Sequence, residues 1–146
     1  MKFTTPYSVL ILLLAMHVSA SHAHHDISSD MDLAAPTQII GQITAINWGE
    51  PHSTLQLQLQ LQRDGLPVQE WLIQMDSISD LAEVDFSAGE FQVGEWVAVI
   101  LFVAQGTSCN DRCIGYGLSL TDEDNNSYTI SQEVYRLFVE FRGRSA

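Results

Sequence analysis

The segment 55–62 alternates leucine and glutamine at every position, and it restricts the fold more strongly than any other segment. The leucines, which share one side of an extended chain, are Leu55, Leu57, Leu59 and Leu61. A repeat of two residues fits a β-strand with one buried face and does not fit a helix, whose repeat is about 3.6. Continued through Arg63, the strand would be about 30 Å long at roughly 3.3 Å per residue. Strands of that length usually coil around a barrel, so the segment predicts an all-β protein.

Other strands are predicted on both sides of this segment. In the strand 38–48, one parity carries Ile39, Gly41, Ile43 and Ala45. The loop 49–52 would make a hairpin of the two strands, and the turn after the second strand contains Asp-Gly and Pro. The remaining predicted elements are a strand at 68–75, a short helix within 77–86, strands at 96–104 and 115–121, and a short strand near Tyr128 and Ile130.

The order of these elements predicts the fold class. Three strands, a short helix and two more strands follow one another as in an OB-fold, a small Greek-key barrel with its helix between strands three and four. We therefore expect an OB-like barrel of five to six strands over 38–131, with another small barrel or a sandwich as the alternative. The strand 96–104 is apolar throughout, which predicts that it is covered on both sides.

The C-terminal segment 132–146 changes to a helical repeat. Its apolar residues Val134, Leu137, Phe138 and Phe141 are spaced as on one face of an amphipathic helix. This helix either packs on its own barrel, against the exposed side of 96–104, or docks a partner or a second subunit. Tyr135 and Val139 favour docking because they widen the apolar surface.

Residues 1–23 have the three parts of a secretory signal peptide. Lys2 supplies the positive charge, residues 9–18 are the apolar run, and Ala20 and Ala23 are small residues for cleavage. The run is about half the roughly 20 residues of a transmembrane helix. We therefore expect a periplasmic or secreted protein without membrane insertion, which begins with a flexible segment, 24–37.

The chain is strongly acidic, with 6 lysines and arginines against 18 aspartates and glutamates. Lys2 is its only lysine and leaves with the signal peptide. A negative field repels phosphate backbones, which argues against nucleic-acid binding. It suits solubility and is compatible with cationic partners, including metal ions.

Cys109 and Cys113 are the only cysteines, and export predicts that they form a disulfide. The loop that they close is short and is worth only about 2 kcal/mol by the chain-entropy estimate. Their three-residue separation differs from the Cys-x-x-Cys spacing of thioredoxin-like proteins. A structural bridge is expected, and a redox or soft-metal site is the alternative.

The histidines that remain after export lie only at the N-terminus and in the first hairpin loop, as His24, His25 and His52, with His22 if cleavage follows Ala20. Cleavage after Ala23 makes His24 the first residue, whose α-amine and Nδ1 can chelate a metal ion. His52 or His25 would supply a third nitrogen, and Asp26 or Glu50 a weaker oxygen ligand. Copper(II) prefers such a nitrogen set, and zinc also fits it. The alternative is that these histidines are solvated polar residues.

Sequence patterns of catalysis are missing, so we expect no enzyme. His52 and Ser53 are neighbours on a strand and point to opposite faces, and no nucleophile-elbow, zinc-protease or phosphate-loop motif occurs. The acidic run 122–124 lies in a turn, where solvation or loose calcium binding is expected. The tryptophans, for which core packing is favoured over ligand stacking, are Trp48, Trp71 and Trp96.

Several motifs together resemble DUF6152, an exported bacterial family of unknown function. They are His24-His25, Gly41-x-Ile43-x-x-Ile46-x-Trp48-x-x-Pro51-His52, Trp71 and Phe91-x-x-Gly94-Glu95-x-Val97. The resemblance covers residues 24–121 and implies one small exported β-barrel in which the histidines occur together. Members typically have Ser and Asn where this chain has Asp26 and Glu50, and they usually lack the C-terminal helix and the cysteine loop.

The sequence therefore predicts an exported β-barrel that binds copper or zinc through His24, His25 and His52. The alternative is a non-catalytic accessory module that docks a larger exported protein through the barrel face or the C-terminal helix, or that forms homo-oligomers.

Overall fold

A computed structural model of the protein describes residues 27–59, 69–84, 86–107, 109 and 112–145. The strands are β1 (Thr37–Asn47), β2 (Ser53–Leu59), β3 (Glu70–Met75), β4 (Trp96–Val103), β5 (Arg112–Thr121) and β6 (Ser127–Thr129). The α-helices are α1 (Ile78–Ala82) and α2 (Gln132–Arg144), and a single 3-10 turn spans Ile27–Asp30. The predicted signal peptide, His24 and His25 lie outside the described residues, as does the predicted turn at 63–67.

Five of the strands form a closed barrel. β1 pairs with β2 and β4, β2 pairs with β3, and β4 pairs with β5, all antiparallel. A parallel pairing of β3 with β5 closes the ring, and β6 extends the sheet beyond β5. With α1 between β3 and β4, this is the predicted OB-like barrel. Because β3 pairs with β5, the five strands of the ring have few unpaired edges.

The Leu-Gln alternation produces the expected strand. Leu55 and Leu57 are fully buried in the barrel core, whereas Gln58, on the other face of the strand, is exposed. β2 is described as far as Leu59, so the rest of the alternation lies outside the described residues. The period of two thus sets which face of β2 forms the core.

A bulge in β1 corrects one predicted position. Ile43 pairs with Leu57, but Ala45 rather than Thr44 comes opposite Gln56, so β1 contains one additional residue. An additional residue reverses the alternation, because each following side chain moves to the other face. Ala45 therefore does not share the face of Ile39 and Ile43, and Ile46 packs against the core instead.

The apolar strand β4 is covered on both sides only near its end. Val97, Val99 and Leu101 point into the barrel and are buried. On the outer side Phe102 is also buried, but Ile100 is 37% exposed. The prediction that the whole strand is covered on both sides is wrong, because the covering elements reach only its C-terminal end.

Those covering elements are the 3-10 turn and α2. A second apolar cluster outside the barrel contains Ile27, Met31, Phe102, Leu118 and Val134. Phe138 of α2 lies against Phe102, with ring centroids 5.6 Å apart. The segment 27–31, which was predicted to be flexible, thus contributes two buried side chains, and the C-terminal helix packs on its own barrel.

An aromatic cluster beside α1 forms part of the barrel core. Phe86 follows α1 and contacts the rings of Trp48, Phe91 and Tyr128 at centroid distances of 5.6 to 5.7 Å. Trp71 is 5% exposed and belongs to the barrel core. Trp48 and Trp71 therefore both take part in core packing.

β5 begins earlier than predicted, at Arg112 instead of residue 115, because its first residues form the parallel ladder with β3. The predicted disulfide joins Cys109 to Cys113, and Cys113 is buried beside Trp71. A disulfide is typical of proteins in an oxidising compartment. Among the described residues, no helix has the length and apolar composition needed to cross a bilayer.

Candidate functional site

His52, the one predicted histidine ligand within the described residues, lies directly before β2 and is exposed. The loop that carries it is fixed on both sides. Ser53 is buried, accepts a hydrogen bond from the Gly49 N–H and donates its own N–H to the Asp76 carbonyl oxygen. The position of His52 therefore follows from the register between β2 and the end of β3, not from a freely moving loop.

Glu50, the predicted oxygen ligand in this loop, contacts α1. Its Oε1 accepts hydrogen bonds from the Ser79 hydroxyl at 2.6 Å and from the Ser79 N–H at 3.2 Å. These hydrogen bonds hold the pKa of the Glu50 carboxyl below its ordinary value. Glu50 thus links the first hairpin loop to α1, and a metal ion would have to compete with Ser79 for it.

A shallow depression adjoins His52, and we call it the His52 depression. It lies between the start of β2, the end of β3, the middle of β5, the start of α2 and the 3-10 turn. Its lining residues are Ile27, His52, Gln74, Met75, Asp76, Tyr116, Ser131, Glu133 and Val134. Its volume of about 10 Å³ is room for about one water molecule. Most of its polar side chains can accept a hydrogen bond or ligate a cation.

The first described residue lies at this depression. Ile27 is the first described residue and lines the depression together with His52. His25 precedes it by two residues and His24 by three. An extended chain covers at most about 3.6 Å per residue, so two or three residues span roughly 7–11 Å. The meeting of all three histidines stays a prediction.

Asp76 fixes the start of α2 at the edge of the depression. Its Oδ1 accepts a hydrogen bond from the Ser131 hydroxyl and its Oδ2 accepts one from the Gln132 N–H, both at 2.6 Å. Ser131 is the N-cap of α2 and accepts from the Val134 N–H. Both carboxylate oxygens of Asp76 are therefore used to attach α2 to the end of β3.

Tyr116 forms the side of the depression nearest the 3-10 turn. Burial raises the pKa of its hydroxyl above the ordinary value, and the charge of Asp30 and a hydrogen bond with it raise that pKa further. The phenol therefore stays protonated at neutral pH. A neutral phenol is a weak metal ligand, so Tyr116 shapes the depression without supplying an anionic oxygen.

Glu133 lies in the first turn of α2 and is half-buried. Among the described residues, none forms a hydrogen bond or an ion pair with its carboxylate. Sequence reasoning missed this residue and Asp76, because only the packing of α2 brings residues 131–134 to the first hairpin. The one signal available in the sequence is the residue type at 131, because a serine directly before a helical repeat commonly caps a helix.

The remaining candidates have structural explanations. Asp122 accepts hydrogen bonds from the N–H and Nδ2 of Asn126 at 2.8 and 2.9 Å, which lower the pKa of its carboxyl and close the turn before β6. Within the described ranges, no group of three or more histidine, cysteine, aspartate and glutamate side chains is arranged to hold a metal ion. A metal site at the His52 depression would therefore need His24 or His25.

The chain matches the sequence model of a protein family. The sequence model of a family of unknown function (DUF6152) matches residues 11–111, a range that includes all three predicted histidine ligands and ends before α2. The chain matches no curated protein and no solved structure.

Proposed function

Because the chain belongs to the DUF6152 family, a family of unknown function, we propose a function from its own residues. It is a small exported binding protein, not an enzyme, that holds copper(II) or zinc at the His52 depression through His52, His24 and His25. The observation that carries this proposal is that Ile27 and His52 line the same depression. It supports the proposal because His25 and His24 precede Ile27 by only two and three residues.

The ligand chemistry favours copper(II). If the signal peptide is cleaved after Ala23, the α-amine and Nδ1 of His24 form a chelate, and His52 completes a set of three nitrogen ligands. Copper(II) prefers nitrogen ligands in a tetragonal arrangement. The α-amine has a reference pKa near 8 and loses its proton readily to a competing metal ion.

The surrounding charge supports a cationic ligand. The chain carries 18 acidic residues and 6 basic ones. Asp76 and Glu133 line the depression, and none of the described arginines does. A negative field raises the local concentration of divalent cations and speeds their association.

Calorimetric titration of the mature protein with copper(II) and with zinc tests the proposal, after mass spectrometry has established that His24 is the first residue. We expect a near-stoichiometric copper complex that is lost in His52→Ala. A protein with one additional glycine before His24 is the matched control, since it keeps every side chain but removes the terminal chelate. Absence of binding tighter than micromolar in the correctly processed protein would refute the proposal.

A second candidate function is docking through the outer face of α2. Tyr135 and Val139 are one helical turn apart and are each 49% exposed, although the opposite face of α2 already packs on the barrel. Such a pair of exposed apolar side chains favours a contact with a larger exported partner or a second copy.

Surface substitution tests docking better than deletion of α2, because deletion would uncover the buried Phe102 and create new apolar surface. We expect Tyr135→Ser/Val139→Ser to keep the stability of the wild type and to lose any dimer seen in sedimentation or any partner retained by the wild type. If the wild type is monomeric and the variant retains the same partners, docking through this face is wrong.

A further inference from the structure

We propose that Asn125 is an acceptor site for an N-linked glycan, which an oligosaccharyltransferase attaches to its side-chain amide. The first observation is the sequence Glu123-Asp124-Asn125-Asn126-Ser127. An asparagine followed by any residue except proline and then by serine or threonine is the acceptor of N-linked glycans, which occur on surface loops of secreted proteins. Of the four asparagines in the chain, only Asn125 has a serine or threonine two residues later.

The turn between β5 and β6 presents this asparagine to solvent. Residues 123–127 are all exposed. Asn125 has a φ of 65°, in the left-handed region that asparagine adopts more readily than most residues. Within the described part of the chain, its side-chain amide forms no hydrogen bond. An enzyme can therefore reach Nδ2 of Asn125 without displacing a partner inside the barrel.

Asp122 holds the turn in this shape. Its carbonyl oxygen accepts a hydrogen bond from the Asn125 N–H at 3.2 Å, and its own N–H donates to the Asn126 carbonyl oxygen at 3.0 Å. Its carboxylate accepts from the N–H and Nδ2 of Asn126, as described above. The middle residue of the acceptor sequence is thus bound to Asp122, whereas the side chain of Asn125 stays unengaged.

The groups that an enzyme would recognise beside Asn125 are accessible as well. The Ser127 hydroxyl accepts a hydrogen bond of 3.3 Å from the Thr121 hydroxyl at the protein surface. Glu123 forms no ion pair with the described residues, so its carboxylate can make a charge-assisted contact with the transferase. β6 is three residues long and lies at the end of the described sheet, which favours local opening as the segment enters an active site.

The reaction at this site is a glycosyl transfer. Nδ2 of Asn125 attacks the anomeric carbon of an oligosaccharide that is linked to a lipid through a pyrophosphate. A bond between that carbon and Nδ2 forms while the bond from the carbon to the pyrophosphate oxygen breaks. The lipid pyrophosphate leaves with the electron pair of the broken bond, and Nδ2 loses one proton. The product keeps a neutral amide at 125, so the turn gains no charge.

The test incubates the purified, folded protein with a bacterial oligosaccharyltransferase and an oligosaccharide linked to a lipid pyrophosphate. Intact mass and peptide mapping report the product. We expect one glycan on the peptide that contains Asn125, and none on Asn125→Gln. Ser127→Ala should also remain unmodified, whereas Ser127→Thr keeps the hydroxyl and should be modified. Glu123→Gln should react at least about tenfold more slowly, because it loses a hydrogen bond to a charged group.

Glu83→Gln is the control for Glu123→Gln, since it makes the same change at an exposed residue outside the turn. Absence of a glycan on the wild type, in a reaction that modifies an acceptor peptide, would refute the proposal, as would a glycan on another asparagine. Equal rates for the two glutamine variants would refute the role of Glu123 alone. Equal circular dichroism establishes that the substitutions preserve the fold. The proposal is independent of metal binding, because no residue of the turn lines the His52 depression.

Discussion

Gly117 lies where β5 passes closest to the residues inside the barrel. A Cβ atom at this position would be 2.5 Å from Cδ1 of Ile130 and 3.0 Å from Cγ2 of Ile73, both of them fully buried side chains. We expect Gly117→Ala to lower the free energy of unfolding by about 1–3 kcal/mol through overpacking. Urea unfolding measures this. Gly143→Ala in α2 is the control because its Cβ meets nothing within 4 Å, and equal stability of the two variants would contradict the prediction.

Glu50 makes the stability depend on pH in a defined direction. Its pKa is lowered in the folded protein by the hydrogen bonds from Ser79, so the unfolded state binds protons more readily. The stabilisation is complete above the ordinary pKa of a glutamate and is lost as the pH falls through the lowered value. We expect Glu50→Gln to reduce the loss of stability on acidification from neutral pH to about pH 3.

Denaturant midpoints measured across this pH range test the Glu50 prediction. Because the carboxylate is exposed, the effect should be small and should decrease at high salt. Glu83→Gln, an exposed substitution at the other end of α1, is the control. Identical pH profiles for wild type and Glu50→Gln at low salt would show that the Ser79 contact does not contribute.

At the scale of an element, α2 is held on the barrel by its first turn. Ser131 is buried, caps the helix by accepting from the Val134 N–H, and donates to Asp76 at 2.6 Å. We expect Ser131→Ala to cost roughly 0.5–2 kcal/mol of stability, as for other N-caps. Hydrogen exchange should show the loss concentrated in α2.

Ser145→Ala, which removes a hydroxyl at the opposite end of α2, is the control for the cap prediction. Its stability should stay close to that of the wild type, because helix ends fray and this hydroxyl is exposed. If both serine substitutions have the same effect, the Asp76 contact is not what attaches the helix.

At the scale of the whole molecule, the barrel is closed by main-chain pairing and not by the disulfide. β3 and β5 pair in parallel from Glu70 and Arg112 onwards, and the bridge closes only the short loop at the start of β5. We expect Cys109→Ser to remain folded and to lose about 2 kcal/mol of stability. Cys113→Ser should lose more, because it also places a hydroxyl group at a fully buried position.

Urea unfolding and circular dichroism of the two cysteine variants measure these differences. Chemical reduction of the wild type should reproduce the Cys109→Ser result, since it too leaves the Cys113 thiol in the core. Loss of the β-sheet signal on reduction would contradict the view that main-chain pairing alone closes the barrel.

Local sequence patterns predicted a strand or a helix correctly where the pattern depends only on the repeat of that one element. The alternation in β2 and the helical spacing of Val134, Leu137 and Phe138 each depend on the geometry of a single element. The bulge at Thr44 and the packing of Ile27 and Met31 outside the barrel were not predictable in this way. The bulge depends on the register with a neighbouring strand, and the packing depends on the position of a distant helix.

The sequence by itself determined that this chain forms a small acidic β-barrel with a C-terminal helix. It also determined that the two cysteines are spaced for a short bridge and that the few histidines lie outside the predicted strands. These properties follow from composition and from periods of two and 3.6 residues. Only the tertiary structure decided that Ile27, His52 and Glu133 line one depression. Parallel closure of the barrel and the attachment of α2 to Asp76 bring these residues together, and contacts between residues so far apart in the chain leave no local pattern in its sequence.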